Sequence, residues 1–406
     1  MDTDGRAYGR SPGISRPELV EVGAGTPAGE LLRRYWHPVA PSSDATDLPR
    51  AVRLLGEDLI LFRTGDGEAG LVTPRCCHRG TTLFYGRVDA GGIRCPYHGW
   101  LFAPDGLCLD QPCEPDGGRN RARYRQPWYP VREYHGLIFA YLGPPERQPV
   151  FPRYEIFEDL DRATEEIAIV DHFAFGGPAV APCNWFQTHE NVMDPYHVFI
   201  LHNAMSGPQF SPNLQIWPRI DWVRTDTGVV SVQDRRLPDG TVLHRITETR
   251  MPTVRIIATP TLSQTGRTDN LSWSQPIDDT HTRVFSMVRK PIGEPVSAGA
   301  AYGPDAKSWF DLTEEERQRY PGDYETQVGQ GPVTLHSEER LSSSDRGVSM
   351  VRRQFVEQVE AVAAGADPAG VTFDEGAAVQ SVIAGNYLVG PDDPLDDVPL
   401  AASLAG

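Results

Sequence analysis

Apolar positions along this chain come in short runs broken by turn-forming residues, and only near the end do they settle into a long helical period. The first 17 residues mix Gly, Ser, Pro and charge without periodicity, so residues 1–25 are expected to form an N-terminal arm, mobile at its start. Thr26-Pro27 reads as an N-cap with proline at the first helical position, opening a short helix through Leu31, Leu32 and Tyr35 that Trp36-His37-Pro38 ends. Apolar runs at 51–55, 59–62 and 70–72, separated by Gly56-Glu57-Asp58 and Thr64-Gly65-Asp66-Gly67, predict a small antiparallel sheet. Further strands follow at 101–103 and 137–142, and Gly143-Pro144-Pro145 marks a boundary. Beyond it, strand-like runs at 166–170, 216–223, 229–232, 241–247, 254–258, 271–275 and 282–288 predict a second, mainly antiparallel sheet, with a hairpin turn at Pro238-Asp239-Gly240. Leu341, Val348, Val351, Phe355, Val359 and Val362 then repeat at helical spacing, stopped by Gly365 and Pro368, which places a long helix over that sheet. The fold class is therefore α+β, with a smaller domain at 26–145, a larger one at 146–389 and a tail at 390–406. Residues 299–330, polar and partly helical, and the acidic, proline-bearing tail are both expected to be surface excursions.

The stretch with the most chemistry lies in the smaller domain: Cys76-Cys77-His78-Arg79-Gly80, then Arg94-Cys95-Pro96-Tyr97-His98-Gly99-Trp100, with 16 residues between His78 and Cys95. Two thiolates and two imidazoles satisfy zinc, and they also satisfy a [2Fe-2S] cluster in which one iron takes the thiolates and the other the imidazoles. A zinc finger with this ligand set puts both cysteines in its first pair and both histidines in its second, whereas here each loop holds one of each. That alternation resembles the Rieske cluster motif; a structural zinc site is the alternative.

Composition narrows the setting. The 38 basic and 55 acidic residues give a formal net charge of −17, which argues against nucleic acid or an anionic membrane as a partner. The start, Met1-Asp2-Thr3-Asp4-Gly5-Arg6, has no targeting pattern, and no apolar run approaches the ~20 residues of a membrane span. Four of the six cysteines, Cys77, Cys108, Cys113 and Cys183, have no evident pairing framework, which fits a reducing cytoplasm. Cys77, set between two inward-pointing ligands, is expected to be a free buried thiol.

A second constellation runs from Asn184 to His202 and includes His189-Glu190-Asn191-Val192-Met193-Asp194-Pro195-Tyr196-His197. His197 and His202 are five residues apart, about 140° on an ideal helix, so they meet at one metal only if the turn is widened or the helix broken. Glu190, Asn191 and Asp194 crowd polar groups into an otherwise apolar segment, and a metal is one reason for such a buried cluster. Satisfied core histidines are the other reading of the same residues.

Together, Cys-x-His with Cys-x2-His and then Glu-Asn-x2-Asp-x2-His-x4-His resemble the catalytic α subunits of Rieske non-haem iron oxygenases, within the phthalate-dioxygenase-like group, from about residue 26 to 365. The resemblance implies a Rieske [2Fe-2S] domain held by Cys76, His78, Cys95 and His98, and a catalytic domain of helix-grip type. It implies a mononuclear Fe(II) bound by His197 and His202, with Asp194 bridging to the cluster of a neighbouring subunit. The family's third ligand is an aspartate on the long C-terminal helix, which nominates Asp345, with Glu338 and Glu339 as fallbacks. A triad of two histidines and a carboxylate leaves one octahedral face open for O2 and substrate. The chain has no nucleotide-binding glycine turn, so electrons from NAD(P)H are expected through a separate flavin or iron-sulfur reductase, with or without a ferredoxin. A homotrimer is expected, since family members bring one subunit's cluster to the next subunit's iron. The expected reaction is ring hydroxylation or aryl-ether O-demethylation of an aromatic acid or phenolic ether. A natural-product or sterol-type Rieske monooxygenase is the alternative within enzymes, and a non-catalytic electron carrier the alternative outside them. His244 and Arg245 are candidates for meeting an anionic substrate, with surface placement the simpler expectation.

Overall fold

The computed structural model describes residues 7–173, 177–296 and 301–402. In the smaller domain, strands Arg50–Leu54, Glu57–Arg63, Ala69–Val72 and Trp128–Tyr129 form one antiparallel sheet, and Arg87–Asp89, Gly92–Arg94, Leu101–Phe102 and Cys108–Asp110 form another. A third sheet orders Trp36–Pro41, Leu137–Tyr141 and Val131–Tyr134. The expected helix runs Pro27–Leu32, its Gly29 N–H donating to the Thr26 hydroxyl, and Trp36-His37-Pro38 opens a strand as it ends the helix.

The larger domain is built on a ten-stranded sheet. Seven strands follow in spatial order: Glu165–Val170, His281–Pro291, Asn270–Asp278, Val254–Ile257, Val242–Arg250, Gly228–Arg236 and Arg219–Arg224. Every pairing in it is antiparallel. The Pro238 turn joins Gly228–Arg236 to Val242–Arg250, Gly240 takes φ +89°, and the Asp239 carboxylate accepts from the Thr241 N–H. Across this sheet lies the helix Arg346–Ala363, with Val351, Phe355, Val359 and Val362 in a core shared with Trp185, Phe186, Met193 and Trp222. Those apolar positions recur at steps of three and four, so one stripe is buried, and Gly365 at φ +86° closes the end. Gly347 is required by close approach, because a Cβ there would stand 2.2 Å from Trp222 Nε1 and 2.3 Å from the Met193 carbonyl.

Several expectations are corrected. Beyond the start of the arm, Leu19, Val20 and Val22 are buried in the core beside the long helix, because residues 17–20 form a helical turn with an apolar face that the hydrophobic pattern does not mark. Leu341 lies outside the helix and is exposed. Residues 301–330 are not a surface excursion, since Tyr302, Trp309 and Leu312 pack together and Asp323 and Gln327 are buried. His244 and Arg245 are buried as well. Their strand sits between neighbours on both edges, and the Pro399 carbonyl covers His244 Nε2 at 2.9 Å.

Candidate active site

Cys76 follows the strand Ala69–Val72, and Cys95 follows Gly92–Arg94 directly. Each loop closes on a glycine with positive φ: the Gly80 N–H donates to the Cys76 carbonyl at 2.8 Å and the Gly99 N–H to the Cys95 carbonyl at 3.0 Å. Only at such turns does the chain reverse fast enough to present a Cys and a His from one loop to the same point. Cys76 and Cys95 are buried, and the His78 and His98 rings stand beside each other with centroids 4.6 Å apart. Burial pushes the Cys76 thiol up to about 12, with the neighbouring Cys95 adding to it, so thiolates here need a bound cation. The Trp100 indole N–H is buried without a partner, and its ring stacks on His78 at 4.4 Å. Two thiols, two imidazoles and an unspent donor fit a cluster with sulfide acceptors better than a bare zinc ion. Cys77 is exposed, because the side chain that points away from the loop interior reaches solvent and not core; its N–H donates to Gln126 Oε1 at 2.8 Å.

The histidine pair is brought together by the widened turn that its spacing demands. Tyr196–Phe199 is α-helical and Ile200–Met205 is π-helical, so five residues make about one turn, and the His197 and His202 rings come to 5.4 Å between centroids. The carboxylate that meets them is Asp323. Its oxygens lie 3.6 Å from His197 Nε2 and 3.4 Å from His202 Nε2, and the three ligand atoms all fall within 4.8 Å of one another.

Asp345 is not part of this group. Its carboxylate accepts from the Ser342 N–H at 2.7 Å in a capping box around the 3-10 turn Ser343–Asp345 that leads into the long helix, while Glu339 is held by Arg352. The helix-start position that made Asp345 attractive is thus taken up by capping. Asp323 sits instead at the first position of a separate short helix, Asp323–Val328. No sequence spacing ties it to His202, 121 residues earlier; the buried aromatic cluster of Tyr302, Trp309 and Tyr324 around it was the available signal.

The site is fitted for a cation. Asp323 is 6% exposed, and although burial raises its carboxyl, the His202 and His197 rings and the Arg255 guanidinium hold it well below the usual carboxylate range. Asn191 Nδ2 at 3.3 Å and Gln327 Nε2 at 3.1 Å orient that carboxylate. His202 Nδ1 bonds Gln209 Oε1 at 2.6 Å, and its Nε2 is buried without a hydrogen-bond partner. Gln209 thereby places the ring proton on Nδ1 and leaves the Nε2 lone pair facing Asp323 and His197, the arrangement a metal ligand needs. His197 Nδ1 bonds the Asp194 carbonyl, and the Asp194 carboxylate, 3.9 Å from that nitrogen, is partly exposed. A small pocket over the three ligands is walled by Phe210, Gln233, Arg245, Thr247, Arg255 and Ile257. Phe210, Arg255, Ile257 and Pro260 also line a cavity of about 860 Å³ that extends from it along the sheet.

Comparison with known proteins places the chain in a family. A Rieske [2Fe-2S] domain is matched over residues 35–138. The chain is 48% identical to the phenoxybenzoate dioxygenase α subunit of Ectopseudomonas oleovorans over 96% of its own length and 95% of that protein's. It is 34% identical to the 5,5'-dehydrodivanillate O-demethylase oxygenase subunit of Sphingobium sp. over 88% and 82%. The fold matches NdmA of Pseudomonas putida solved with caffeine, at TM-score 0.60 and 21% identity over 84% of this chain and 94% of that one. It also matches dicamba monooxygenase bound to dicamba, at TM-score 0.58 and 18% identity over 82% and 99%. This chain belongs to the Rieske-type non-haem iron oxygenases, as an oxygenase (α) subunit. It is accordingly an oxidoreductase that uses O2, and its cofactors are the Rieske [2Fe-2S] cluster and a mononuclear iron. Among the described residues, no helix is long and apolar enough to cross a membrane.

Proposed function

We propose that this chain is the oxygenase component of a system that oxidises an aromatic acid or aryl ether, by ring hydroxylation or by ether cleavage of the O-demethylase kind. In this reading Cys76, His78, Cys95 and His98 hold the cluster, and His197, His202 and Asp323 hold the ferrous ion. The observation that carries it is the convergence of the unpartnered His202 Nε2, His197 Nε2 and the Asp323 carboxylate in a small pocket that shares Phe210, Arg255, Ile257 and Pro260 with the cavity of about 860 Å³. When bound, the two iron centres supply electron delivery and oxygen activation.

The chain's own residues prepare the place. Gln209 fixes the His202 tautomer, and Asn191 and Gln327 aim Asp323. Phe210, Ile257 and Pro260 give the junction between pocket and cavity an apolar wall beside Arg255, so a ring packs there against apolar side chains. Asp194, tied to His197 through its carbonyl and with its carboxylate partly exposed, is the candidate link to a cluster in a neighbouring subunit.

Electrons come from NAD(P)H through a separate flavin or iron-sulfur reductase, with or without a ferredoxin, and the working form is a head-to-tail homotrimer in the cytoplasm. A relative named for phenoxybenzoate, matched over nearly the whole chain, favours aromatic carboxylates; a relative named for O-demethylation keeps ether cleavage as the second reading. The test is turnover of the iron-replete chain with a surrogate reductase, NADH, O2 and a panel of aromatic acids and aryl ethers, read by mass spectrometry. Gain of two oxygens, gain of one, or loss of a methyl assigns the outcome; no oxygen-dependent product from any aromatic, with the cluster reduced normally, refutes the reading. Sedimentation at about three times the 44.9 kDa chain mass supports the ring, and a monomer at assay concentration removes it.

A further inference from the structure

The cavity wall carries four cations, and they are not equivalent. Arg267 pairs with Glu155 at 3.0 Å, Arg289 with Asp159 and Glu165 at 2.6 Å each, and Lys290 with Glu166. Arg255 differs: it is 6% exposed, and among the described residues no carboxylate forms an ion pair with it. Its Nη1 has only long contacts, 3.3 Å to Ser274 Oγ and 3.5 Å to the Thr188 carbonyl, and its Nε is buried without a partner. Arg245, the other arginine of the inner pocket, is fully engaged by contrast, bonding Asn386 Oδ1 at 2.5 Å and the Ala258 carbonyl at 2.6 Å.

A buried guanidinium with unspent donors is expensive unless an anion completes it. The nearest protein anion is Asp323, which interacts with Arg255 through space but is turned toward the two histidines. With a dication bound there, that carboxylate's charge is already neutralised, so the pocket keeps a surplus of positive charge. Position adds to charge. Arg255 and Ile257 stand on the same face of the strand Val254–Ile257, and both line the inner pocket and the large cavity, so Arg255 lies where one opens into the other. The remaining acidic groups of the wall are Glu165, spent on Arg289, Asp269, which is half-buried with a carboxyl that burial raises, and Glu294 near the cavity mouth.

We propose that Arg255 is the anchor for the carboxylate of an aromatic acid, binding it within the cavity and presenting the ring to the pocket of His197, His202 and Asp323. The planar fork of a guanidinium suits a carboxylate in two-point contact and discriminates against an uncharged isostere of the same shape. Arg255 is thus a specificity-determining residue, and the inference rests on the oxygenase reading of the site.

The test is equilibrium binding, by calorimetry or quenching of tryptophan fluorescence, of matched pairs to the iron-replete protein: 3-phenoxybenzoate, 4-phenoxybenzoate and benzoate, each against its primary amide. Wild type is expected to prefer at least one carboxylate to its amide by about 100-fold. Arg255→Gln is expected to lose that preference, with amide affinity within about threefold of wild type and with iron, sulfide and the Rieske spectrum retained. Arg255→Lys should restore part of the preference. The proposal is overturned if wild type binds acid and amide alike, if Arg255→Gln weakens both equally, or if it leaves the preference intact. Those results leave the oxygenase reading standing when an uncharged aromatic is still oxidised, whereas absence of any oxygen-dependent product removes that reading independently.

Discussion

Replacing Asp323 and Asp345 one at a time separates the two candidate third ligands. Asp323 has 6% exposure, faces both histidine Nε2 atoms and is aimed by two amides, so Asp323→Ala removes the only carboxylate among the described residues within reach of both rings. Loss of a mere supporting hydrogen bond around a metal costs about 10–100-fold in affinity, so loss of a ligand is expected to cost at least about 100-fold. With iron supplied at about ten times the wild-type dissociation constant, occupancy is about 0.9 in wild type and about 0.1 in the variant. Asp345→Ala removes instead the carboxylate that accepts from the Ser342 N–H, a capping change worth about 1 kcal/mol, and leaves the iron in place. The assay is anaerobic iron and acid-labile sulfide analysis beside the visible spectrum. Wild type should give about three irons and two sulfides per chain, Asp323→Ala about two and two with the Rieske spectrum unchanged, and Asp345→Ala the wild-type values. Loss of one iron in Asp345→Ala with full iron in Asp323→Ala would refute the assignment.

Gln209→Leu frees His202 Nδ1, and should weaken ferrous binding about 10–100-fold by titration without altering sulfide content. Phe355→Ala opens a hole where Trp185 and Phe186 pack on the long helix, and should cost about 3–5 kcal/mol in denaturant unfolding; a cost below about 1 kcal/mol would show that the helix is not seated there. His37 is fully buried between the Gln275 side-chain amide and the Leu32 carbonyl, and burial lowers it to about 4 despite both bonds. Below the unfolded value of about 6.5 the unfolded chain takes up a proton that the native state refuses, so this contribution is complete above pH 6.5 and is lost as pH falls toward 4. Between pH 7.5 and 5 wild type should lose about 2 kcal/mol more stability than His37→Gln, and equal losses would discount the effect.

Much of the fold was legible because the sheets are antiparallel and their turns carry glycine, proline or aspartate. The runs at 51–72 and 229–288 alternate or cluster as strands, and the Pro238 hairpin formed where its turn residues stand. What failed was inference from polarity. Residues 19–22 predicted no element because one apolar face over four residues is too short for a period to register, and Leu19 and Val22 are fully buried. Arg245 and His244 looked like surface because they follow a hairpin turn. Buried charge carries no local signature of its own, and both side chains are hidden by groups distant in sequence: His244 meets the Pro399 carbonyl, and Arg245 meets Asn386 Oδ1 and the Ala258 carbonyl.

The site was legible in proportion to how local its geometry is. The cluster loops are self-contained, each fixed by its own glycine turn, so residue order alone separates mixed Cys-His pairs from a zinc finger. The histidine pair needed one inference more. Five residues do not close on an α-helix, so the spacing already required a wider turn, and the π-helical segment at Ile200–Met205 is that turn. The proposed third ligand is not local at all. Asp323 reaches the histidines from another helix, and two features it shares with Asp345, a helix start and a neighbouring acidic stretch, are explained by capping as readily as by metal binding. Burial is what tells them apart. A carboxylate that caps an exposed helix end is satisfied by backbone N–H groups and solvent, whereas one enclosed beside two imidazoles draws its compensation from those rings, an arginine and a bound cation. In the proposed site the arginine and the aspartate belong to one electrostatic arrangement: a cation bound at Asp323 would neutralise that carboxylate and leave Arg255 in need of an anion.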